Sequence, residues 1–438
     1  MIQRRQLLKT LVAASLFPSI GMPRIRTVPA KRDLRDWLAV RDLFPLAPDW
    51  THLSSFLFVS HPKPVAEAIE RFRKKLDADP FWVEIAWVSD AEGRPFAAVK
   101  RALADYTGGS PAELCLTANT TTALAMAYHG LRIRPDQEIV TTEHDHYSHH
   151  ESIRYAAARS GAGVRYIRLY DTAASADAGQ IAERVAPAIT AKTRAVGVTW
   201  VHSSTGVKLP IASIAEVVAR ANRGRAPADR CLLLVDGVHG FGNQDVDVAR
   251  LGADFFASGT HKWLFAPRGT GFLWGKSDAW PELRPTIPSF DPDALDATFA
   301  AYVDRKDLPP TQAAFVSPGG FMAFEHLLAV PAAVELHRTI GRDRIAARIA
   351  ELNAAFRDGA ARIPGVTLHT PRDPNLSAGI SCFEVRGMAV GEVVARLAAK
   401  KIRTTTSPYK VSYARVAAGI MNRPDEVELV LREIRALI

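Results

Sequence analysis

The sequence has 438 residues, of which 47% are hydrophobic, and it is therefore long enough for two domains with a large core. The formal net charge of +9 falls to +4 when residues 1–30 are set aside, because those residues include five basic side chains and no acidic one. Such a charge is ordinary for a protein surface and does not indicate binding to nucleic acid or to a membrane. An odd number of cysteines in apolar, strand-like runs, Cys115, Cys231 and Cys382, indicates buried thiols and not a disulfide framework.

Residues 1–30 have the pattern of a targeting segment. Arg4-Arg5, followed by two leucines and Lys9, resembles the twin-arginine export motif, and a short apolar run over 11–20 comes next. The run is too short to span a bilayer permanently, and Val28-Pro29-Ala30 offers small residues for cleavage. We expect export to the periplasm by the twin-arginine machinery and removal of this segment; a basic N-terminal tail on a cytoplasmic protein is the alternative.

The first polar cluster lies beyond an N-terminal segment, 31–80, which contains a predicted helix over 64–76. A short apolar strand at 114–116 leads to Asn119, Thr120 and Thr121, and an Ala- and Leu-rich helix pattern follows. The free N–H groups and the positive dipole end at the start of a helix bind anions, and threonine hydroxyls add donors. The pattern predicts an anion site, although Asn-Thr-Thr is also an ordinary helix-capping sequence.

Histidines are concentrated after a second predicted strand, 138–142, in the run 144–150, which reads HDHYSHH. One interpretation is a metal site. The usual arrangement of two helical histidines with a carboxylate is missing, however, and histidines packed so densely cannot all face one ion. A third strand, 195–200, then leads to His202 and Ser203.

The most informative stretch is 232–274. The apolar run 232–235 reads as a fully buried parallel strand, and it ends at Asp236, whose carboxylate would point into the crevice where such sheets bind ligands. His239 follows closely, and Lys262 comes later, after His261 and before a loop rich in Gly and Pro. Pyridoxal phosphate needs such a set: a lysine to bind its aldehyde, an aspartate to pair with its pyridine nitrogen, and hydroxyl or imidazole groups for its phosphate. Taken singly, the aspartate could be a helix cap and the lysine a solvated side chain.

Two elements of this stretch resemble the class V aminotransferase family of fold type I pyridoxal-phosphate enzymes. Asp236-Gly237-Val238-His239 is similar to its D-x-x-H/Q element, and residues 258–262, SGTHK, are similar to its S-x-x-(H)-K element. The resemblance implies an α/β fold with two domains. The large domain, 81–320, would hold a mostly parallel seven-stranded sheet between helices, and the smaller α+β domain, 321–438, would begin with a long amphipathic helix from about Phe321.

The resemblance also implies roles for individual residues. The expected catalytic residues are Lys262, Asp236, His239 and His144; His144 would stack on the cofactor ring, with His146 and Tyr147 as alternatives in register. Further cofactor contacts would come from Asn119, Thr120, Thr121, Ser203 (or His202), Ser258 and His261. Arg415 and, with a weaker match, Arg403 would bind the substrate carboxylate, because a guanidinium suits it bidentately. Ser317 would reach the phosphate of a neighbouring subunit in a homodimer, although the family usually has threonine there.

The reaction implied by the resemblance is transamination of an amino acid or of an amino-acid group in a peptide metabolite. Epimerisation is the alternative, since the cluster from His144 to Tyr147 could supply an acid on the second face. Cysteine desulfuration is less expected, because the loop 404–410 has no cysteine and because His239 resembles the isopenicillin N epimerase-like branch. With export, the resemblance suggests siderophore tailoring, as performed by a periplasmic aminotransferase that acts on pyoverdine. A non-catalytic protein that binds an amino compound is a further alternative.

Overall fold

The computed structural model describes residues 33–83 and 95–438, and the chain from Leu34 to Ile438 forms one compact unit. The predicted targeting segment, 1–30, lies outside the described residues, and export therefore stays a prediction. The predicted domain borders at residues 80 and 320 also stay predictions. None of the helices in the described residues combines the length and the apolar character that a membrane span requires.

The described residues form strands and helices in alternation over most of the chain. The strands are β1 (Thr51–His52), β2 (Leu114–Thr117), β3 (Glu138–Thr142), β4 (Gly163–Ile167), β5 (Thr193–Thr199), β6 (Leu232–Asp236), β7 (Phe255–Gly259), β8 (Gly271–Gly275), β9 (Val366–Leu368), β10 (Ser381–Val385), β11 (Ile402–Arg403), β12 (Thr405–Thr406) and β13 (Ala414–Val416). The α-helices are α1 (Trp37–Arg41), α2 (Lys63–Ala78), α3 (Pro95–Thr107), α4 (Thr120–Gly130), α5 (Tyr147–Ser160), α6 (Ala178–Val185), α7 (Ile211–Ala221), α8 (Pro292–Asp304), α9 (Ala313–Val316), α10 (Phe324–Leu328), α11 (Val330–Ile340), α12 (Arg342–Ala361), α13 (Val390–Ala399) and α14 (Pro424–Arg435).

The large sheet has seven strands in the order β2–β8–β7–β6–β5–β3–β4. All neighbouring strands pair in parallel except at β8, which is antiparallel to both β7 and β2. The register places Asp236 at the end of β6 opposite Thr199 of β5 and Ala257 of β7. The predicted mostly parallel seven-stranded sheet between helices is confirmed.

The apolar run predicted as a central strand forms most of β6 and is completely buried. Because successive side chains of a strand point to opposite faces, Leu233 and Val235 pack in a core cluster with α3 and α7, on one side of the sheet. Leu232 and Leu234 pack on the other side, with α4 and α5. Helices thus cover both faces, and polar side chains can share a crevice only where the strands end.

The smaller C-terminal sheet has the order β12–β13–β10–β9 and is antiparallel throughout. Phe383 and Val385 of β10 pack with Phe356 of α12 and Val430 of α14 in a core cluster of their own. The pairing of β1 with β11 joins the beginning of the described chain to this C-terminal part. The predicted smaller α+β region is therefore confirmed.

The single long helix predicted from about Phe321 is wrong. This stretch forms three helices, α10, α11 and α12, with breaks at Ala329 and Gly341. Pro331 lies in the first turn of α11, where its missing N–H and its ring prevent continuation of the preceding helix. Gly341 has φ 102°, which lies outside the helical region.

The prediction of buried thiols is confirmed. Cys115, Cys231 and Cys382 all lie in the described residues, and each is buried and unpaired. Burial raises the pKa of each thiol to about 12, so none of them is a ready nucleophile at neutral pH.

Candidate active site

Three neighbouring strands, β5, β6 and β7, end side by side and bring polar residues to one crevice. Asp236 is the last residue of β6, and Lys262 follows three residues after the end of β7. A cavity of about 210 Å³ lies there. Ten of the predicted site residues line it, namely Asn119, Thr120, Thr121, His146, Ser203, Asp236, His239, His261, Lys262 and Arg415, together with Phe56, Leu57, Ser148, Thr199, Val238 and Pro408.

Lys262 is paired with an imidazole. Its Nζ lies 3.2 Å from Nε2 of His239. Burial lowers the pKa of Lys262 to about 8, although the carboxylate of Asp236 opposes that shift. Burial and the charge of Lys262 lower the pKa of His239 well below its usual range, so the imidazole is neutral and accepts a hydrogen bond from the amine. The other ring nitrogen, Nδ1, is buried without a hydrogen-bond partner in the part of the chain that the structure describes.

Asp236 is a buried carboxylate with unused acceptor capacity. The described residues give its side chain one hydrogen bond, from the Val238 N–H at 3.2 Å. Burial raises its pKa to about 6, and the nearby carboxylate of Asp145 adds to the increase. A protonated ring nitrogen would supply both the missing donor and a compensating charge. The adjacent Gly237 permits close packing, because a Cβ there would lie 1.8 Å from the ring of Phe256.

The predicted anion site is the start of helix α4. Asn119 caps this helix, and its Oδ1 accepts a hydrogen bond from the Thr122 N–H at 2.9 Å. The N–H groups of Thr120 and Thr121, in the first turn, have no carbonyl partner within the helix and are available to a ligand. Thr120 also accepts a hydrogen bond from the Gly259 N–H at 2.7 Å, which joins the anion site to the strand that precedes Lys262.

Arg415, in β13, reaches the same cavity from the smaller sheet. It donates to Thr405 Oγ1 at 3.1 Å, to Ser203 O at 3.0 Å and to Thr406 O at 2.7 Å. Its guanidinium also lies 4.6 Å from the ring centre of Phe56. Of the five N–H groups of a guanidinium, two remain for a ligand. Among residues 33–83 and 95–438 this buried cation has no carboxylate partner, which suits it to an anionic substrate group.

The preferred position for the stacking ring, His144, needs correction. His144 does not line the cavity; its ring stacks on Tyr170, with centroids 3.9 Å apart and planes 11° apart. The alternative His146 does line the cavity and caps helix α5, accepting a hydrogen bond from the Ser148 N–H. The chain turns between these residues because Asp145 is fixed by the N–H groups at the ends of β3 and β5, and the two imidazoles therefore project in different directions.

Three other predicted residues lie outside the cavity. Arg403 is exposed and lies 3.5 Å from the ring centre of Trp50, so its predicted contact with substrate is not supported. Ser258 is buried in β7, where its hydroxyl donates to Gly259 O. Ser317 lines a separate cavity of about 270 Å³ beside Lys100, and its predicted role across a subunit interface stays a prediction.

The histidine cluster is dispersed among separate partners. His149 Nε2 lies 2.6 Å from the Tyr128 hydroxyl, and His150 Nε2 lies 2.7 Å from Thr142 O. His202, behind the cavity, is bonded through Nδ1 to the Tyr170 hydroxyl at 2.9 Å. In the described ranges, no group of three or more His, Cys, Asp or Glu side chains is arranged to hold a metal ion.

Two residues that hold the edge of the site, Tyr409 and Phe56, are not among the residues predicted from the sequence. The hydroxyl of Tyr409 lies 2.7 Å from Ser203 Oγ, and Phe56 lies under the guanidinium of Arg415. Neither residue belongs to a local pattern that signals a site. Phe56 reaches the cavity, and Tyr409 reaches Ser203 at its wall, through contacts between distant parts of the chain, which a single sequence does not reveal.

The comparisons with known proteins agree on one family. The sequence model of the family "Aminotransferase class-V" matches residues 60–412. An isopenicillin N epimerase of Streptomyces clavuligerus is 29% identical over 360 residues, which cover 80% of this chain and 84% of that protein. A probable cysteine desulfurase of Methanothermobacter thermautotrophicus is 26% identical over 352 residues, with 80% and 81% covered. A solved complex of the cystine C–S lyase C-DES with cysteine persulfide shares the fold, with a TM-score of 0.77 at 23% identity over 90% of this chain and 99% of that one.

The cavity suits pyridoxal phosphate, the cofactor of class-V enzymes. Asp236 can pair with a protonated pyridine nitrogen, the start of α4 can hold a phosphate, and Lys262 has the lowered pKa that favours reaction with an aldehyde. The prediction of this cofactor is confirmed. Since the family model covers most of the sequence, and since the fold and the cavity agree with it, the chain belongs to the class-V aminotransferase family.

Proposed function

We propose that the protein is an aminotransferase that uses pyridoxal phosphate and acts on an amino acid or on an amino-acid group of a peptide metabolite. The observation that carries the proposal is the contact of Lys262 Nζ with His239 Nε2 at 3.2 Å, beside the buried carboxylate of Asp236. When bound, the cofactor supplies an electron sink for the substrate α-carbon. Lys262, with a pKa of about 8, can take up the α-proton and return it.

The other residues of the cavity would hold the reactants. Asp236 would keep the pyridine nitrogen charged, and the N–H groups of Thr120 and Thr121 would bind the phosphate. The two remaining N–H groups of Arg415 would bind the α-carboxylate of the substrate. His146 lies at the cavity wall, where its ring would pack on the cofactor.

The test compares the purified wild-type protein with Lys262→Ala. We expect the visible absorption of the bound cofactor to be lost in the variant, and we expect one member of a panel of L- and D-amino acids and short peptides to be converted to its keto product by the wild type. Lys208→Ala is a matched control, because Lys208 is also half-buried but bonds to Gln244 and Pro374 O outside the cavity. A protein that takes up no pyridoxal phosphate would contradict the proposal and favour a non-catalytic binding protein.

Epimerisation is the second candidate, and a specific observation favours it. Ser203 and His146 follow β5 and β3, whereas Lys262 follows β7, on the other side of β6 in the sheet. A substrate α-carbon held between Lys262 on one side and Ser203 and His146 on the other would have polar groups on both faces. A two-sided proton transfer needs such an arrangement. The similarity to isopenicillin N epimerases adds support. Loss of optical activity in D₂O, with deuterium at the α-carbon and no keto product, would favour epimerisation over transamination.

A desulfurase-type reaction is disfavoured by the chemistry of the thiols. Such a reaction needs a nucleophilic cysteine near the substrate, and burial raises the pKa of all three thiols to about 12. The loop 404–410 has no cysteine. Incubation with L-cysteine should therefore release no sulfide above the level of the Lys262→Ala variant.

We also propose export to the periplasm, which rests on Arg4, Arg5 and the apolar run that follows them. The substrate would then be made or finished in that compartment, and a siderophore peptide fits this requirement. Cell fractionation of the full-length chain should find the wild type in the periplasm and Arg4→Lys/Arg5→Lys in the cytoplasm. Equal distribution of both proteins would contradict the proposal.

A homodimer with shared active sites is proposed from the position of Ser317. Its hydroxyl lies in a cavity separate from that of Lys262, so a role at the phosphate would require a second subunit. Light scattering should give the mass of two chains. Mixing the Lys262→Ala and Ser317→Ala proteins should give more activity than either protein has alone, because one site of the mixed dimer would be intact; no gain would contradict shared sites.

A further inference from the structure

Ser203 is held at two atoms by the C-terminal part of the chain. Its carbonyl oxygen accepts a hydrogen bond from Arg415 Nη1 at 3.0 Å, and its Oγ lies 2.7 Å from the Tyr409 hydroxyl oxygen. Ser203 follows β5 of the large sheet, whereas both partners belong to the segment 404–416 of the smaller one. Residues from the smaller sheet therefore fix one wall of the cavity.

This wall lies opposite the lysine. In the sheet, β6 separates β5 from β7, so Asp236 at the end of β6 lies between the Ser203 side and the Lys262 side. Neighbouring strands are about 4.8 Å apart, which puts the ends of β5 and β7 about 10 Å apart. The cavity thus has an amine on one side, a hydroxyl on the other and a carboxylate between them.

The contact between the two hydroxyl groups determines where the Ser203 proton can point. Either oxygen could donate, and in the described part of the chain neither hydroxyl has a second hydrogen-bond partner. If Tyr409 donates, the proton of Ser203 is free to point into the cavity that Ser203 lines. Burial raises the pKa of Tyr409, which keeps its proton available at neutral pH.

We propose that Tyr409 is a positioning residue that donates to Ser203 Oγ and thereby directs the Ser203 proton to an anionic oxygen of the ligand in the cavity. The inference rests on the proposed function, since that oxygen would belong either to the bound cofactor or to the α-carboxylate of the substrate. Tyr409 acts through Ser203 and needs no contact of its own with either.

The test is a double-mutant cycle in the full-length protein loaded with pyridoxal phosphate. Ser203→Ala should lower kcat/KM about tenfold, the cost of one hydrogen bond to a charged group, and Tyr409→Phe should lower it by a similar or smaller factor. Because Tyr409 acts through Ser203, the double variant should be no worse than Ser203→Ala alone. Tyr106→Phe is the matched control; it also loses a buried hydroxyl, bonded to His337 Nδ1 at 2.9 Å, and should keep wild-type kinetics.

Two further readouts identify the oxygen. If it belongs to the cofactor, Tyr409→Phe and Ser203→Ala should both shift the pH midpoint of the cofactor absorbance when no substrate is present. If it belongs to the carboxylate, that midpoint should stay unchanged while KM rises for the amino acid and not for the corresponding amine.

Wild-type kinetics in Tyr409→Phe, or effects that multiply in the double variant, would overturn the inference, because a purely structural role would be independent of Ser203. Failure of the proposed function would be seen separately, before any variant is made. In that case the wild-type protein would not take up the cofactor or would convert no amino compound.

Discussion

Lys262 should capture pyridoxal phosphate over a pH range set by its own titration. Only the neutral amine attacks an aldehyde, and burial lowers the pKa of Lys262 from 10.5 to about 8. At pH 7 a lysine with a pKa of 8 is neutral in about 10% of molecules, against about 0.03% for an ordinary lysine. The capture rate at pH 7 should therefore exceed that of an exposed lysine roughly 300-fold from this effect alone.

The assay mixes cofactor-free protein with pyridoxal phosphate in a stopped-flow instrument and follows absorbance between about pH 6 and pH 10. The rate at which the protein binds pyridoxal phosphate should rise tenfold per pH unit at first and level off above about pH 8. Asp236→Asn should move this midpoint to lower pH, because the carboxylate raises the pKa of Lys262. Asp278→Asn is the control, since that carboxylate is exposed and paired with Arg230; it should leave the midpoint unchanged.

Two results would refute this reasoning. A rate that still rises tenfold per unit above about pH 9 would show that the lysine titrates as an ordinary exposed amine. A midpoint that Asp236→Asn leaves in place or raises would show that the carboxylate does not act on the amine through its charge.

Three further predictions concern the carboxylate site, the stacking ring and the packing beside Asp236. Arg415→Lys should raise KM for the amino substrate about tenfold, because a single ammonium cannot replace the fork of the guanidinium, and kinetics with the decarboxylated amine, little affected, provide the check. His146→Leu should change the absorption spectrum and affinity of the bound cofactor, whereas His144→Leu should alter only the melting temperature; a spectral change in the second variant would contradict the placement of His144 against Tyr170. Gly237→Ala should lower the free energy of unfolding by about 1–3 kcal/mol, because its Cβ would overlap the ring of Phe256, and urea denaturation should measure the loss.

The parts of the fold that depend on local pattern could be predicted from the sequence. The continuous apolar run before Asp236 has one plausible structure, a buried parallel strand, and β3 begins and ends at the predicted residues 138 and 142. Helix α4 was predictable because Asn119 caps it. The breaks at Ala329 and Gly341 could not be predicted with the same ease. The apolar periodicity continues through both positions and favours a single helix, and the nearby Pro331 and Gly341 are weak signals beside it.

The site could be predicted where a residue lies at or just beyond the end of a strand, and where, as at Arg415, a motif resembles the family. Asp236 is placed by its strand alone, whereas the choice between His144 and His146 depends on how Asp145 is held by two strand ends. Tyr409 could not have been found, because its partner Ser203 lies about 200 residues away in sequence and the contact joins two sheets. Arg403 resembled a site residue by sequence, but the orientation of its side chain toward Trp50 is a tertiary feature.

The way the cavity is divided between the two sheets has a consequence for how its chemistry can diverge. Asn119, Asp236 and Lys262, which would hold the cofactor, lie at or just beyond the ends of β2, β6 and β7 of the seven-stranded sheet, whereas Tyr409 and Arg415 come from one short segment near the C-terminus. Substitutions, insertions or deletions in that segment would change which amino compound is recognised while Asn119, Asp236 and Lys262 stay in place. An engineer who wishes to redirect this enzyme should therefore randomise residues 404–415 and keep the rest of the chain unchanged.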